Sequence, residues 1–266
     1  MSCRYLSVVR RCSELGLLSR CVRLPARSIS REELRLCHDE SLLELLQATK
    51  DMTVQELQET SSQFDCLYIH PASWETALLS AGGVTDLVAA VARGDLNNGL
   101  ALVRPPGHHA MRSESCGYCY VNNIAIAARA ALASLERILI IDWDVHHGQG
   151  TQREFYEDKR VMYVSIHRHE DGYWWPNLRE SDHAYTGAGE GAGYNVNIPL
   201  NVTGEETLIL FYLSISNKRR RMVVGWNKRF MQAKYFVNRN YDRRKLEVIP
   251  TVFMRSRKYL HCLAVR

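Results

Sequence analysis

Two carboxylates and two imidazoles follow one another in the segment Ile141-Asp-Trp-Asp-Val-His-His-Gly-Gln-Gly150. Asp144 and His146 are two positions apart, so on an extended backbone their side chains face the same way. Carboxylate oxygen and imidazole nitrogen suit zinc, and a catalytic zinc site usually has about three protein ligands and an open position for water. Asp142 precedes them on the same face and either supports the site or holds another cation. A solvated acidic turn is the plainer interpretation, but it does not explain why four such side chains converge directly after an apolar segment.

A second group, Arg104-Pro-Pro-Gly-His-His-Ala110, places two imidazoles behind a rigid turn. A single histidine is more often a structural residue. Neighbouring side chains point in different directions, however, so core packing does not account for His108 and His109 together. For this pair we favour a role in proton transfer.

Glycine and aromatic residues could shape a pocket beside these groups. Gly117 lets a backbone approach a ligand closely, and Tyr118 could form a wall of an apolar slot. Trp174 and Trp175 offer further walls, although core packing is the better interpretation of two tryptophans by themselves. The Cys116-x-x-Cys119 spacing could form a redox or zinc pair. Without a second pair, loop cysteines are the simpler interpretation.

The elements that must position these residues alternate between helix and strand. Ser30 with Glu33, and Thr53 with Glu56, have the capping-box spacing that opens a helix. The segment 137–142 has no polar alternation, as expected of a parallel strand covered on both faces. The order predicts an α/β fold of three α/β/α layers with a mainly parallel sheet, whose ligands lie beyond the carboxyl ends of the strands. We predict strands at 65–69, 99–103, 137–142, 161–166 and 194–198, and buried helices at 72–93 and 122–135.

Composition places the chain among ordinary globular proteins and divides it in two. Of its 266 residues, 46% are hydrophobic and 24% charged, and we find neither an apolar run of about 18 residues nor a secretory signal. Eight cysteines without disulfide-framework spacing indicate a reducing compartment. Residues 1–204 contain 19 basic and 25 acidic residues, whereas residues 205–266 contain 15 basic and four acidic ones. Such a shift predicts a boundary near residue 204.

Four segments in this order resemble the motifs of the histone deacetylase family. They are Arg104-Pro-Pro-Gly-His-His-Ala110, Asp142-Trp-Asp-Val-His-His-Gly-Gln-Gly150, Val164-Ser-Ile-His-Arg168 and Gly193-Tyr-Asn-Val-Asn-Ile-Pro199. Trp174-Trp-Pro-Asn-Leu-Arg-Glu-Ser-Asp182 is similar to the class IIb members, cytoplasmic deacetylases of tubulin-like and polyamine substrates. The resemblance runs from about Leu15 to Gly204. It implies the arginase/deacetylase fold for residues 1–204, as a partial catalytic domain, followed by a divergent basic tail with no regular fold.

The resemblance also implies roles for particular residues. Asp144 and His146 would be zinc ligands, His109 the general base, and His108 its electrostatic partner. Asp142 and Ser165, with the backbone carbonyls of residues 144, 146 and 166, would hold potassium. A second cation site would be lined by Phe155, Asp158, Val161 and Tyr194. The acetyl-lysine tunnel would be formed by Gly117, Tyr118 and Trp175. The implied chemistry is amide hydrolysis, in which zinc polarises the carbonyl and activates water while a histidine takes the proton.

After Gly204 the sequence departs from the family pattern. The third zinc ligand, an aspartate in a Ser-Ala-Gly-Phe-Asp-like context, and the oxyanion tyrosine of a Gly-Gly-Tyr loop are both missing. The family's N-terminal strand with its Pro-Glu-Arg-Pro loop is missing as well. We therefore expect either a deacetylase of weakened or absent activity or a non-catalytic binding module. In both cases we expect the chain to be an incomplete or alternative product of a deacetylase gene.

Partners and compartment follow from the same resemblance. The expected substrates are acetylated lysines of histones or cytoplasmic proteins, with acetylated polyamines as an alternative, and the expected compartment is the cytoplasm, the nucleus or both. We expect no membrane association. The basic run Lys218-Arg-Arg-Arg221 could serve as a nuclear localisation patch or a phosphate contact, but a solvated run is the simpler interpretation, so we do not expect direct nucleic-acid binding.

Overall fold

The structure is a computed structural model that describes residues 3–201 and three short strands between residues 213 and 248. The α-helices are α1 (Cys3–Glu14), α2 (Arg31–Leu34), α3 (Glu40–Ala48), α4 (Val54–Ser62), α5 (Ser73–Ala92), α6 (Asn123–Ala131) and α7 (Gln149–Phe155). The strands are β1 (Ile138–Asp142), β2 (Val161–Arg168), β3 (Asn195–Leu200), β4 (Leu213–Ile215), β5 (Met222–Val224) and β6 (Glu247–Val248). Short 3-10 turns lie at Leu18–Arg20, Thr49–Asp51, Glu170–Gly172, Arg179–Ser181 and Gly189–Gly191.

The central sheet is parallel, with the strand order β3-β2-β1-β6. Alternate residues of β1 enter two apolar clusters, because successive side chains of a strand point to opposite faces. Ile138 and Ile140 join the large cluster with the helices, whereas Leu139 and Ile141 join a smaller one on the other face. The predicted α/β fold with a mainly parallel sheet is therefore confirmed. Strands β4 and β5 form a separate antiparallel pair.

The helical layer is built around α5 and α6, as the sequence predicts for 72–93 and 122–135. Ala77, Ala81 and Ala125 are fully buried where these helices enter the large cluster, because small side chains let helices approach closely. By length and composition α5 could also span a membrane, although half of its most apolar window is buried inside the fold. Both predicted capping boxes are present, with the side chains of Ser30 and Thr53 accepting from the backbone N–H three residues later.

Two predicted strands are wrong. The short apolar segment 65–69 predicts a strand, and within it Leu67 and Ile69 are buried while Tyr68 is exposed. The carbonyls of Asp65 and Cys66, however, accept hydrogen bonds from the turn at 117–118 and not from a neighbouring strand. Residues 99–103 likewise form no strand. Burial alternation predicts an extended backbone, but a strand also needs a partner for its ladder hydrogen bonds.

The predicted boundary at residue 204 and the tail 205–266 lie almost wholly outside the described residues. Only β4, β5 and β6 are described there, and β6 pairs with β1 at Ile138 and Leu139.

Candidate metal centre and active site

The carboxyl end of β1 brings Asp142, Asp144 and His146 together, as predicted. The Asp144 N–H donates to Oδ1 of Asp142 at 3.0 Å, and the His146 N–H donates to Oδ1 of Asp144 at 2.9 Å. These side-chain-to-backbone bonds fold the loop tightly after the strand. They leave both Asp144 and His146 about one-fifth exposed, so the pair lies at a surface that a ligand can reach.

The separation of the two predicted zinc donors fits one metal ion. Nδ1 of His146 lies 3.1 Å from Oδ1 of Asp144. Two tetrahedral ligands at about 2.0–2.1 Å from zinc lie roughly 3.3 Å apart, so both atoms could bind the same ion with little movement. Among residues 3–201, however, no group of three histidine, cysteine, aspartate or glutamate side chains has a metal-binding arrangement. The described part of the chain therefore offers two suitable donors and not the usual three.

The two adjacent histidines have different partners. Nδ1 of His108 donates to the Asp142 carboxylate at 2.8 Å, whereas Nδ1 of His109 lies 2.8 Å from the amide oxygen of Gln149. An amide oxygen only accepts, so Nδ1 of His109 carries a proton, and in the neutral tautomer that this contact favours the lone pair is on Nε2. The rings lie 3.8 Å apart. One imidazole is thus paired with a charge and its neighbour with a neutral dipole.

Asp142 joins the pair His108–His109, which we call the dyad, to residues 143–148, which we call the metal loop. Burial opposes its ionisation, but the positive charge and hydrogen bond of His108 and the Asp144 N–H together lower the pKa of its carboxyl group. The Tyr163 hydroxyl also donates to Oδ2 of Asp142 at 2.9 Å. A side chain at Gly148 would place its Cβ 2.5 Å from that same oxygen, so only glycine permits this packing.

The predicted tunnel residues also meet at the dyad. Gly117 and Tyr118 have φ angles of 55° and 66° in a tight turn closed by Cys116 and Cys119. Gly117 packs so closely that an added Cβ would lie 2.5 Å from both the His109 ring and the Trp175 ring. Tyr118 is 44% exposed. We call Tyr118 and Trp175, which lie beside this turn, the aromatic rim; His109 behind it is fully buried.

Both cysteines of this turn are buried. Burial, with the nearby carboxylates of Asp65 and Glu114, raises the pKa of Cys116 to about 12, so its thiol stays protonated at neutral pH. Gln149 donates from Nε2 toward its sulfur at 3.6 Å. The structure therefore agrees with the simpler interpretation of Cys116 as a loop cysteine that packs behind the dyad.

The predicted potassium ligands Asp142 and Ser165 are direct neighbours on β1 and β2. Ser165 is fully buried, and its Oγ lies 2.8 Å from Nδ1 of His167. Since Nε2 of His167 donates to the Ser181 carbonyl at 2.9 Å, its Nδ1 accepts the Ser165 proton. The hydroxyl oxygen therefore keeps its lone pairs for another ligand, which is compatible with a cation.

The second predicted cation site surrounds the end of α7. Phe155 and Val161 are buried, and Arg129 lies over the Phe155 ring at 4.7 Å. The Asp158 carboxylate binds the guanidinium groups of Arg129 and Arg160 at 2.6 and 2.7 Å. Two arginines thus already compensate the charge that this site would offer to a cation.

Sequence reasoning missed several residues that complete the site. Gln149 and Tyr163 hold the dyad and Asp142, and Asp65 accepts a hydrogen bond from Nε1 of Trp175 at 2.8 Å. Trp174 stacks on His146 with 6.0 Å between ring centroids. Gln149 lies inside the Gly-Gln-Gly segment, so its place in the motif was a usable signal. The other contacts come from distant segments that only the fold brings together.

Comparison with known proteins decides the family. Residues 2–221 match the family described as the histone deacetylase domain. The chain belongs to this family. This confirms the resemblance deduced from the dyad and metal-loop motifs.

Individual relatives agree with this assignment. The chain is 48% identical over 203 residues to human polyamine deacetylase HDAC10, a match that covers 76% of this chain and 30% of that protein. It is 42% identical over 203 residues to histone deacetylase 6 of Caenorhabditis elegans, covering 76% and 21% of the two chains. Histone deacetylase HDA1 of Saccharomyces cerevisiae is 40% identical over 187 residues, covering 69% and 26%.

Solved structures support the fold as well. The crystal structure of the HDA15 HD domain superposes with a TM-score of 0.68 at 35% identity, covering 76% of this chain and 55% of that one. The chain spans less than a third of the length of the three relatives named above. The family is therefore established over residues 2–221 and the fold over the described residues, in a chain much shorter than those relatives.

Proposed function

We propose that this chain is a zinc-dependent deacetylase that hydrolyses the acetyl amide of a modified amine, with acetyl-lysine in histones or other proteins as the principal substrate. The observation that carries the proposal is the pairing of His109 with Gln149 beside the Asp144–His146 pair. The His109 and His146 rings lie 6.1 Å apart, so a proton acceptor lies close to two metal donors. Acetylated polyamines are the alternative substrate, since the relatives include proteins named polyamine deacetylases.

The residues have separate roles in this proposal. Asp144 and His146 would hold zinc, which when bound would polarise the amide carbonyl and lower the pKa of water. His109 accepts a proton at Nε2, because Gln149 keeps its Nδ1 protonated. His108, paired with Asp142, stabilises negative charge that develops nearby.

Substrate entry would follow the aromatic rim. Gly117 brings the backbone against the dyad, and Tyr118 and Trp175 would flank the alkyl stem of the acetylated amine. Trp175 is fixed at its indole N–H by Asp65, so this wall is rigid. Asp142 and Ser165 would hold potassium beneath the metal loop. We expect the chain to act in the cytoplasm, the nucleus or both, through residues 1–204.

A second candidate is a binding module that holds an acetylated amine without hydrolysing it. The observation in its favour is that the described residues offer two metal donors and not three. A zinc ion with two protein ligands is below the usual catalytic count. In this case the aromatic rim would bind the acetylated amine, and the dyad would have no catalytic role.

Turnover assays on the purified full chain separate the two candidates. A fluorogenic acetyl-lysine peptide and an acetylated spermidine are incubated with the chain, with its His109→Ala variant, and with a chelator. The deacetylase predicts turnover that falls about 10²–10⁴-fold in the variant and is lost with chelator. Peptide binding without turnover in any sample would support the binding module. Turnover that survives both treatments would refute the proposed site.

A further inference from the structure

Three flat groups are stacked at the edge of the proposed metal centre. The Trp174 indole lies nearly parallel to the His146 imidazole, at 15° and 6.0 Å between centroids. On the same indole, the Arg168 guanidinium carbon lies 3.4 Å from the ring centroid. The edge of the Trp175 ring also meets the His146 ring at 79° and 5.4 Å. These are the separations at which aromatic pairs and cation–π pairs attract.

The stack lies where the loop after β1 meets the loop after β2. Arg168 ends β2, and its backbone N–H donates to the Val145 carbonyl in the metal loop at 2.9 Å. Its guanidinium forms an ion pair with Glu170. The backbone N–H of Trp174 donates to the His169 carbonyl at 3.1 Å. The guanidinium is thus fixed from its own strand and the indole from its own loop, and the indole in turn contacts His146.

A tryptophan at this position lowers the stability of the fold. Its Nε1 is buried and has no hydrogen-bond partner, and an unpaired buried donor costs about 1–3 kcal/mol. Phenylalanine would fill much of the same space without that cost. Core packing alone therefore does not explain the indole, whereas a large π face between a cation and an imidazole does, because tryptophan binds cations better than phenylalanine.

We propose that Trp174, clamped by Arg168, is a positioning residue that holds the His146 imidazole in the plane required for metal binding. The proposal rests on the proposed function, since it takes His146 as a metal ligand. Imidazole can rotate about its side-chain bonds, and a metal bond requires one ring orientation. Partners that orient a metal-ligating histidine commonly account for about 10–100-fold in metal affinity.

Zinc affinity of the full chain, measured by competition with a chromogenic chelator, tests the proposal. Trp174→Leu removes the stack and is expected to weaken Zn²⁺ binding about tenfold or more. Trp174→Phe keeps a smaller ring face and is expected to weaken Zn²⁺ binding less than Trp174→Leu does. Arg168→Met removes the guanidinium clamp, together with its ion pair to Glu170, and is expected to weaken binding about two- to fivefold. Tyr173→Leu is the matched control, because Tyr173 is the adjacent aromatic residue and is 85% exposed.

Urea unfolding midpoints of all variants separate positioning from folding. The proposal predicts a loss of zinc affinity in Arg168→Met with an unchanged midpoint, so it remains testable even if Trp174→Leu does not fold. Equal zinc affinity of Arg168→Met, of folded Trp174→Leu and of wild type would overturn the positioning role while leaving the proposed function intact. Absence of zinc binding by wild type would instead refute the metal centre itself, and the positioning role with it.

Discussion

Replacement of Gly117 by alanine tests the packing between the turn and the dyad. The substitution has two effects. Gly117 has a φ of 55°, and a residue with a Cβ in this left-handed region is destabilised by about 1–2 kcal/mol. The new Cβ would also lie 2.5 Å from the His109 and Trp175 rings, where ordinary contact begins at 3.4 Å. Because both neighbours are ring atoms, the overlap costs a further 1–3 kcal/mol or so.

Gly94→Ala is the matched control for the backbone effect. Gly94 has a φ of 79°, and nothing lies within 4 Å of its added Cβ. The two alanines lower the entropy of the unfolded chain equally, so the difference between the variants isolates the steric overlap. Urea unfolding followed by circular dichroism should show Gly117→Ala to be less stable than Gly94→Ala by about 1–3 kcal/mol.

The same variant should also lose activity. A displacement of the His109 ring by roughly 1 Å can reduce the rate about 10²-fold, whereas a Cβ added at Gly94 has no atom of the dyad within 4 Å. Equal stability losses in the two variants, together with unchanged turnover of an acetyl-lysine peptide by Gly117→Ala, would show that the turn does not press against the dyad.

Three further predictions concern single side chains. Gln149→Leu leaves Nδ1 of His109 without its acceptor, so turnover should fall at least about tenfold while substrate binding is kept; equal turnover would contradict the assigned proton position. His38 is buried, and burial lowers its pKa to about 4. Because the unfolded chain binds this proton at a higher pH, the free energy of unfolding should fall as pH drops from 6.5 toward 4, by up to about 1.4 kcal/mol per pH unit. Urea titrations of His38→Leu should show a smaller dependence on pH. Thr53→Ala removes the cap of α4 and should cost about 1 kcal/mol, which thermal unfolding can measure against Val54→Ala.

Local chemistry was readable from the sequence without the fold. Ser30 and Thr53 open helices because the capping contacts join residues only three apart. The strand at β1 was predictable because residues buried on both faces read as an unbroken apolar run. Asp144 and His146 were predictable as a pair because their spacing places both side chains on one side of an extended chain. In each case the pattern on which the prediction depends lies within one short segment.

The tertiary structure decided which distant groups meet. Trp174 stacks on His146, Asp65 holds Trp175, and Tyr163 donates to Asp142 across 21 positions of chain. No spacing rule predicts such contacts, because they depend on how strands and loops are arranged in space. The false strand at 65–69 has the same origin. Its side chains alternate as a strand's do, but whether a backbone pairs with a strand or with a turn depends on what the fold places beside it.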